Sequence, residues 1–303
     1  MGSIRITQGI MIDRVLSNIR DQELRILALQ NQLATGLKIN KISDNPLAAR
    51  RGIASQSEIR QNEQYLTNIS TVSPYLRESE TSILTVVDIL QRANELTLQG
   101  SNSTNAQEQR DQLALEINQL LEATLVESNH QTNGRFIFAG TRTLATPFAE
   151  TRDANNDITA VTYNGNDENI EMETSENVRV IVNETGQAVF QENIDVFQVL
   201  IDIRDSLRTG DFDGLTTGLV ELDTAQEQLL VSTARIGSIE NRINRTDTNI
   251  RDINVQLEEV LSDNIDADFA EVIVELNAQS NAFQASLNAA GRIIQPSLLD
   301  FIR

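Results

Sequence analysis

From Leu222 to Val260, apolar or small residues recur in unbroken alternation of three- and four-residue steps: Leu222, Ala225, Leu229, Ser232, Ile236, Ile239, Ile243, Thr246, Ile250, Ile253, Leu257, Val260. That is the seam of a coiled-coil-like helix, much longer than an ordinary globular helix. Similar stripes run through Ile12, Leu16, Ile19, Glu23, Ile26, Gln30, Leu33 and Leu37, and through Tyr65, Ile69, Val72, Leu76, Ser79, Ile83, Val86, Leu90 and Ala93. Another runs from Phe269 through Ile273, Leu276, Ser280, Phe283, Leu287 and Ala290 to Ile294. A chain with seams of this length needs partner helices, from itself or from other chains.

Composition supports helices of that length. Only four of 303 residues are proline, and aromatics are 4% with no tryptophan, so aliphatic seams must carry the packing. The net charge of −20 repels phosphate backbones and anionic lipid surfaces, which argues against nucleic acid and against membrane association as partners. The absence of cysteine excludes disulfides, thiolate metal sites and thiol catalysis. No apolar stretch is long enough to insert in a membrane, and the first residues lack the basic-then-apolar pattern of a cleaved secretory signal. The protein is therefore expected to stay inside or to leave by a route without signal cleavage.

Along the chain, residues 8–39 predict a first helix. Ser43-Asp44-Asn45-Pro46 predicts a restart, with a capping side chain ahead of a proline at an early helical position. The next helix runs from Leu47 to about Gln99, with Pro74 inside it as a candidate kink or split. A third carries Leu113, Ile117, Leu120, Leu121 and Leu125 on one face and is expected to end near Asn133-Gly134. Short strands are expected at Phe136–Phe138, Ile158–Tyr163, Asn169–Met172, Val178–Val182 and Ala188–Phe190. Helices resume at Ile194–Leu207 and again after Gly210 and Gly214, and Ser262–Asp268 reads as a break before the last helix.

The expected class is mainly α with a β-rich insert (α+β). A long antiparallel bundle (43–139 and 194–262) lies between coiled-coil-like terminal helices (1–42 and 263–303), with a small outer β domain (140–193). Between Glu150 and Asp195 eleven acidic residues face two arginines, a net charge of −9. This insert reads as a solvated surface.

Nothing in the sequence assembles a catalytic centre, a cofactor site or a metal site. His130, the one histidine, sits where a helix end favours a cation, and no Gly-x-Ser-x-Gly elbow accompanies it. No two glycines stand as Gly-x-Gly, the start of a dinucleotide fingerprint. Asp153-x-Asn155-x-Asp157 opens like a calcium loop, but Ile158 occupies the sixth position and Asn164 the twelfth, where glycine and glutamate are needed. Adjacent carboxylates such as Glu258 and Glu259 arise by chance in a chain with 44 acidic residues. The bundle stripes can satisfy one another. The terminal stripes can pair together or wait for another subunit to complete them.

Several segments carry a family resemblance. Arg5-Ile6-Thr7 with Met11, then Leu33-Ala34-Thr35-Gly36-Leu37-Lys38-Ile39-Asn40 and Ser43-Asp44-Asn45-Pro46-Leu47-Ala48-Ala49, resemble the N-terminal region of the flagellin superfamily. Asn133-Gly134-Arg135-Phe136-Ile137-Phe138-Ala139-Gly140, with Pro147-Phe148 downstream, is more similar to that superfamily's hook–filament junction branch than to filament flagellin. So are Asp268-Phe269-Ala270-Glu271, Phe283-Gln284-Ala285-Ser286-Leu287 and Ser297-Leu298-Leu299-Asp300-Phe301. The resemblance covers about half the chain. Phe283 stands where many relatives carry Leu, and Gly2-Ser3 is not a typical start.

The resemblance implies a non-catalytic structural role. Copies of the chain would form a ring between the first hook-associated protein and the flagellin filament. They would leave through the flagellar type III channel, with an export chaperone as an earlier partner. It also implies that assembly uses Ile12, Leu16, Ile19, Ile26, Leu33, Leu37, Phe269, Ile273, Leu276, Phe283, Leu287, Ile294, Leu298, Leu299 and Phe301. The alternatives are a filament flagellin, or a binding module or enzyme carried by the acidic insert.

Overall fold

The computed structural model describes residues 8–102 and 106–294. The chain forms two compact units, one of residues 1–61 with 252–303 and the other of residues 62–251. Two long helices run through both units: α2 (Pro46–Gly100) and α6 (Phe212–Ile265). α2 starts as the sequence predicts, with the Asn45 Oδ1 accepting from the Ala48 amide at 3.1 Å and Pro46 in the first turn. It does not split at Pro74, although proline leaves the Ser70 carbonyl without its helical donor.

The larger unit is a helical core with hairpins attached. The whole α2 seam from Tyr65 to Ala93 is buried. On α6 the seam is buried at Leu222, Ala225, Leu229, Ser232, Ile236, Ile243 and Ile250. α3 (Gln107–Ser128) and α5 (Val196–Thr209) pack on each other and complete the core. Asp195 caps α5 by accepting from the Phe197 and Gln198 amides, and Gly210 ends it at φ +71°.

Three two-stranded antiparallel ladders follow α3: β1 (Gln131–Thr132) with β2 (Arg135–Phe136), β3 (Phe148–Arg152) with β4 (Ile158–Tyr163), and β5 (Glu171–Ser175) with β6 (Val178–Ile181). Their inward residues Phe148, Ile158 and Val180 belong to the same buried cluster as the helices. Phe148, Phe190 and Phe197 lie with ring centroids 5.0–5.8 Å apart. A further edge-to-face contact joins Phe138 to Phe190 at 5.1 Å.

Four local expectations need correction. α3 stops at Ser128, before Asn133-Gly134, because the Asn129 amide side chain bonds the Phe148 backbone twice, at 2.9 and 3.0 Å, and draws the chain out of the helix. Asn133 (φ 53°) and Gly134 (φ 75°) instead make the tight turn between β1 and β2. Ala188–Phe190 is helical, within α4 (Gly186–Phe190), because the Thr185 hydroxyl accepts from the Ala188 amide and starts a helical turn. Leu37 lies beyond α1 (Gln8–Thr35), since Gly36 takes φ +73° and ends that helix.

Candidate assembly interface

The smaller unit is built on α1 and α7 (Phe269–Ile294), which pack along each other. They are antiparallel, because the end of α1 meets the start of α7. The Lys38 amide donates to the Ile265 carbonyl at 2.7 Å, the Ala267 amide to the Gly36 carbonyl at 2.9 Å, and Leu37 bridges Asp266. Asp268 caps α7 through its Oδ1, which accepts from the Ala270 and Glu271 amides at 2.8 and 3.2 Å. The break expected over Ser262–Asp268 is narrower, because α6 stays helical through Ile265 and the turn and cap take only Asp266 to Asp268.

The seam that closes this pair follows one three-four alternation on each helix. Inward on α1 lie Ile12, Val15, Ile19, Gln22, Ile26, Leu29 and Leu33, and inward on α7 lie Val272, Leu276, Gln279, Phe283, Ser286 and Ala290. Both sets keep the three-four alternation. Only Leu29, Val272 and Ala290 among them are fully buried. Outside this seam Met11, Leu16, Leu24 and Leu27 on α1 and Phe269, Ile273, Val274 and Leu287 on α7 remain 44–69% exposed. Isolated exposed leucines are ordinary, but so many large apolar side chains left open on one helix pair mark it as a candidate interaction region.

The fifteen sequence-assigned residues therefore fall in different places. Ile12, Ile19, Ile26, Leu33, Leu276 and Phe283 are half-buried inside the pair, and Leu37 is half-buried in the turn after α1. Leu16, Phe269, Ile273 and Leu287 face outward. Ile294 closes α7. Leu298, Leu299 and Phe301 lie outside the described residues. The sequence reading missed Val15, Leu29 and Val272, although each stands one step from a named residue and completes the same alternation.

The titratable groups elsewhere serve structure. Among the described residues no group of three or more His, Cys, Asp or Glu side chains could hold a metal ion. Asp153 Oδ1 accepts from the Asn155 and Asp157 amides, and Arg208 binds Asp157 at 2.6 Å, holding its carboxyl below the usual range. Burial pushes the Glu184 carboxyl up, and Arg235 at 2.9 Å opposes that shift. His130 stands just past α3, with its Nε2 3.4 Å from Glu78.

Comparison with known proteins agrees with this architecture. The bacterial flagellin N-terminal helical region matches residues 6–143, and the bacterial flagellin C-terminal helical region matches residues 219–302. The chain is 24% identical over 311 residues to flagellar hook-associated protein 3 of Escherichia coli, covering 94% of this chain and 96% of that protein. A flagellin of Treponema pallidum, FlaB1, is 30% identical over 110 residues, only 36% of this chain and 38% of that one. The fold is similar to that of the flagellar junction protein FlgL of Legionella pneumophila, at a TM-score of 0.61 and 14% identity, over 71% of this chain and all of that one. These relatives are structural flagellar proteins, and this chain is a component of the flagellum, not an enzyme. With both flagellin regions matched across well over half of its length and its near-full-length likeness to a hook-associated protein, the chain belongs to the bacterial flagellin superfamily, on its hook-associated branch.

Proposed function

We propose that this protein is the adaptor between the hook-associated ring and the flagellin filament, acting by helical packing of many copies. The exposed apolar side chains of α1 and α7 carry the reading: the helix pair leaves eight large side chains, among them Leu16 and Leu287, uncovered for neighbouring subunits. Covering the exposed half of such a leucine contributes about 1 kcal/mol, so many such contacts per subunit are needed to offset the cost of association. The partners are other copies of the chain, the first hook-associated protein on one side and flagellin on the other. Export proceeds through the flagellar type III channel without a cleaved signal, with a chaperone engaged beforehand, and the assembled protein is extracellular.

The terminal site is tested by Leu16→Asp and Leu287→Asp. Either variant is expected to be missing from isolated flagella while the unit of residues 62–251 unfolds in urea as in the parent. Normal incorporation of both would rule out these exposed side chains as the assembly face. A filament flagellin is the second reading, but the flagellin likeness spans 36% of this chain where the hook-associated likeness spans 94%. Unaided growth of the purified protein into long filaments would favour it.

A further inference from the structure

The hairpin of β5 and β6 leaves one edge uncovered. The Val182 amide donates to the Ile170 carbonyl at 2.9 Å, and the ladder continues in register through Glu171–Ile181, Met172–Val180 and Glu173–Arg179. Bonded and non-bonded positions alternate in an antiparallel pair, so the backbone groups of Glu173, Arg179 and Ile181 point away from the partner strand. On β5 the Glu173 carbonyl is taken by the Asn68 side chain of α2 at 2.9 Å. On β6 no strand among the described residues covers the edge, and Val178, Arg179 and Ile181 are exposed. Such an edge is a template for a further strand.

Beside this edge the larger unit holds a cleft of about 750 Å³, lined from β6 by Arg179 and Ile181 and from α6 by Arg235, Ile239 and Arg242. The insert and α6 run past each other: Gln228 bonds Val189 and Ile194, and Arg235 bonds Glu184. Arg242 stands two turns further along α6, about 10 Å, which brings it to the β6 end of the cleft. There Arg179 has only a 3.8 Å contact with Glu171, and Arg242 is in no ion pair among the described residues. Asp167 and Glu192 also line the cleft, but at its other end. Glu192 acts on Glu184, and Asp167 precedes the Ile170–Val182 contact. Glu184 is five residues from Arg179, about 16 Å of extended chain. The cleft is therefore basic where it meets β6.

We propose that β6 accepts an extended peptide segment of a partner protein as a third strand. The segment carries an acidic side chain over Arg179 and Arg242 and an aliphatic one two positions away over Ile181 and Ile239. Side chains two apart on a strand share a face, as Arg179 and Ile181 do. Main-chain bonds to Arg179 and Ile181 supply affinity, and the alternate side chains supply selectivity. Two guanidinium groups with unused donors suit a carboxylate.

The test uses the full-length protein, isotope-labelled for amide NMR, and an end-capped pentapeptide of sequence Thr-Glu-Thr-Val-Thr. The Arg179 and Ile181 amide resonances are expected to move downfield and to saturate as the peptide is added. The same peptide with Lys in place of Glu should bind several-fold more weakly. N-methylation of its valine removes a main-chain donor without altering charge, and should abolish the shifts. Arg242→Glu, at an exposed position of α6, should reverse the preference between the acidic and basic peptides. No saturating shift at Arg179 and Ile181 overturns the proposal. So does equal affinity for the Glu and Lys peptides, undiminished binding of the N-methylated peptide, or a preference that Arg242→Glu leaves unchanged.

Discussion

Gln228 joins the bundle to the returning end of the insert. Its Oε1 accepts from the Asn193 and Ile194 amides at 2.8 and 3.1 Å, and its Nε2 donates to the Val189 and Ile194 carbonyls at 3.0 and 3.2 Å. Gln228→Leu keeps the volume but strands four backbone groups, and urea unfolding should show a loss of about 3 kcal/mol. Arg204, 2% exposed, does similar work by donating to Asn118 Oδ1 and the Ile158 carbonyl. The sequence gives a hint of Arg204, which interrupts the apolar face formed by Leu200, Ile203 and Leu207. It gives none of Gln228, because a glutamine beside a seam reads as surface. Asp157 contributes one part of the pH dependence. Its pKa is depressed in the fold by Arg208, so its contribution is present above the ordinary value of 3.8 and is lost as pH falls through the lower folded value. Asp157→Asn should flatten the acid limb of a stability-against-pH curve. An unchanged limb would show that the Arg208 pair does not set it.

At the scale of elements, the long seams are legible because a core face must repeat every helical turn. The α2 row from Tyr65 to Ala93 and the α6 row as far as Ile250 are buried where the spacing puts them. The terminal helices are ambiguous for the same reason. Ile12, Ile19, Ile26 and Leu33 serve two alternating rows, one continued by Leu16, Glu23 and Gln30 and one by Val15, Gln22 and Leu29. Only the position of α7 selects the second. Short elements were harder. Ala188–Phe190 carries strand-like residues, yet one hydroxyl cap makes it helical. Pro74 sits exposed within an unbroken α2. Pro74→Ala restores a donor for the Ser70 carbonyl and should stabilise the protein by about 2 kcal/mol, after allowing for the looser unfolded chain. A lower Tm for this variant would mean that a bend at Pro74 is needed by the core.

For the whole molecule, the acidic insert is not a free-standing layer. Its hairpins bury Phe148, Ile158 and Val180 in the cluster that holds Ile117 of α3 and Phe197 of α5. Residues 140–195 expressed alone lack those helices and should remain unfolded by circular dichroism, with flat amide exchange. A cooperative transition in that fragment would contradict a shared core. Sequence by itself determined the helical class and the approximate seams of the long helices, because periodicity and composition are local and additive along the chain. Tertiary structure alone decided which phase of each terminal stripe is covered, where the hairpins find their core, and which of the many polar residues are buried. Those outcomes depend on which surfaces meet across long sequence separations, and an apolar residue in a stripe satisfies its own helix equally well on either side of the line where the partner lands.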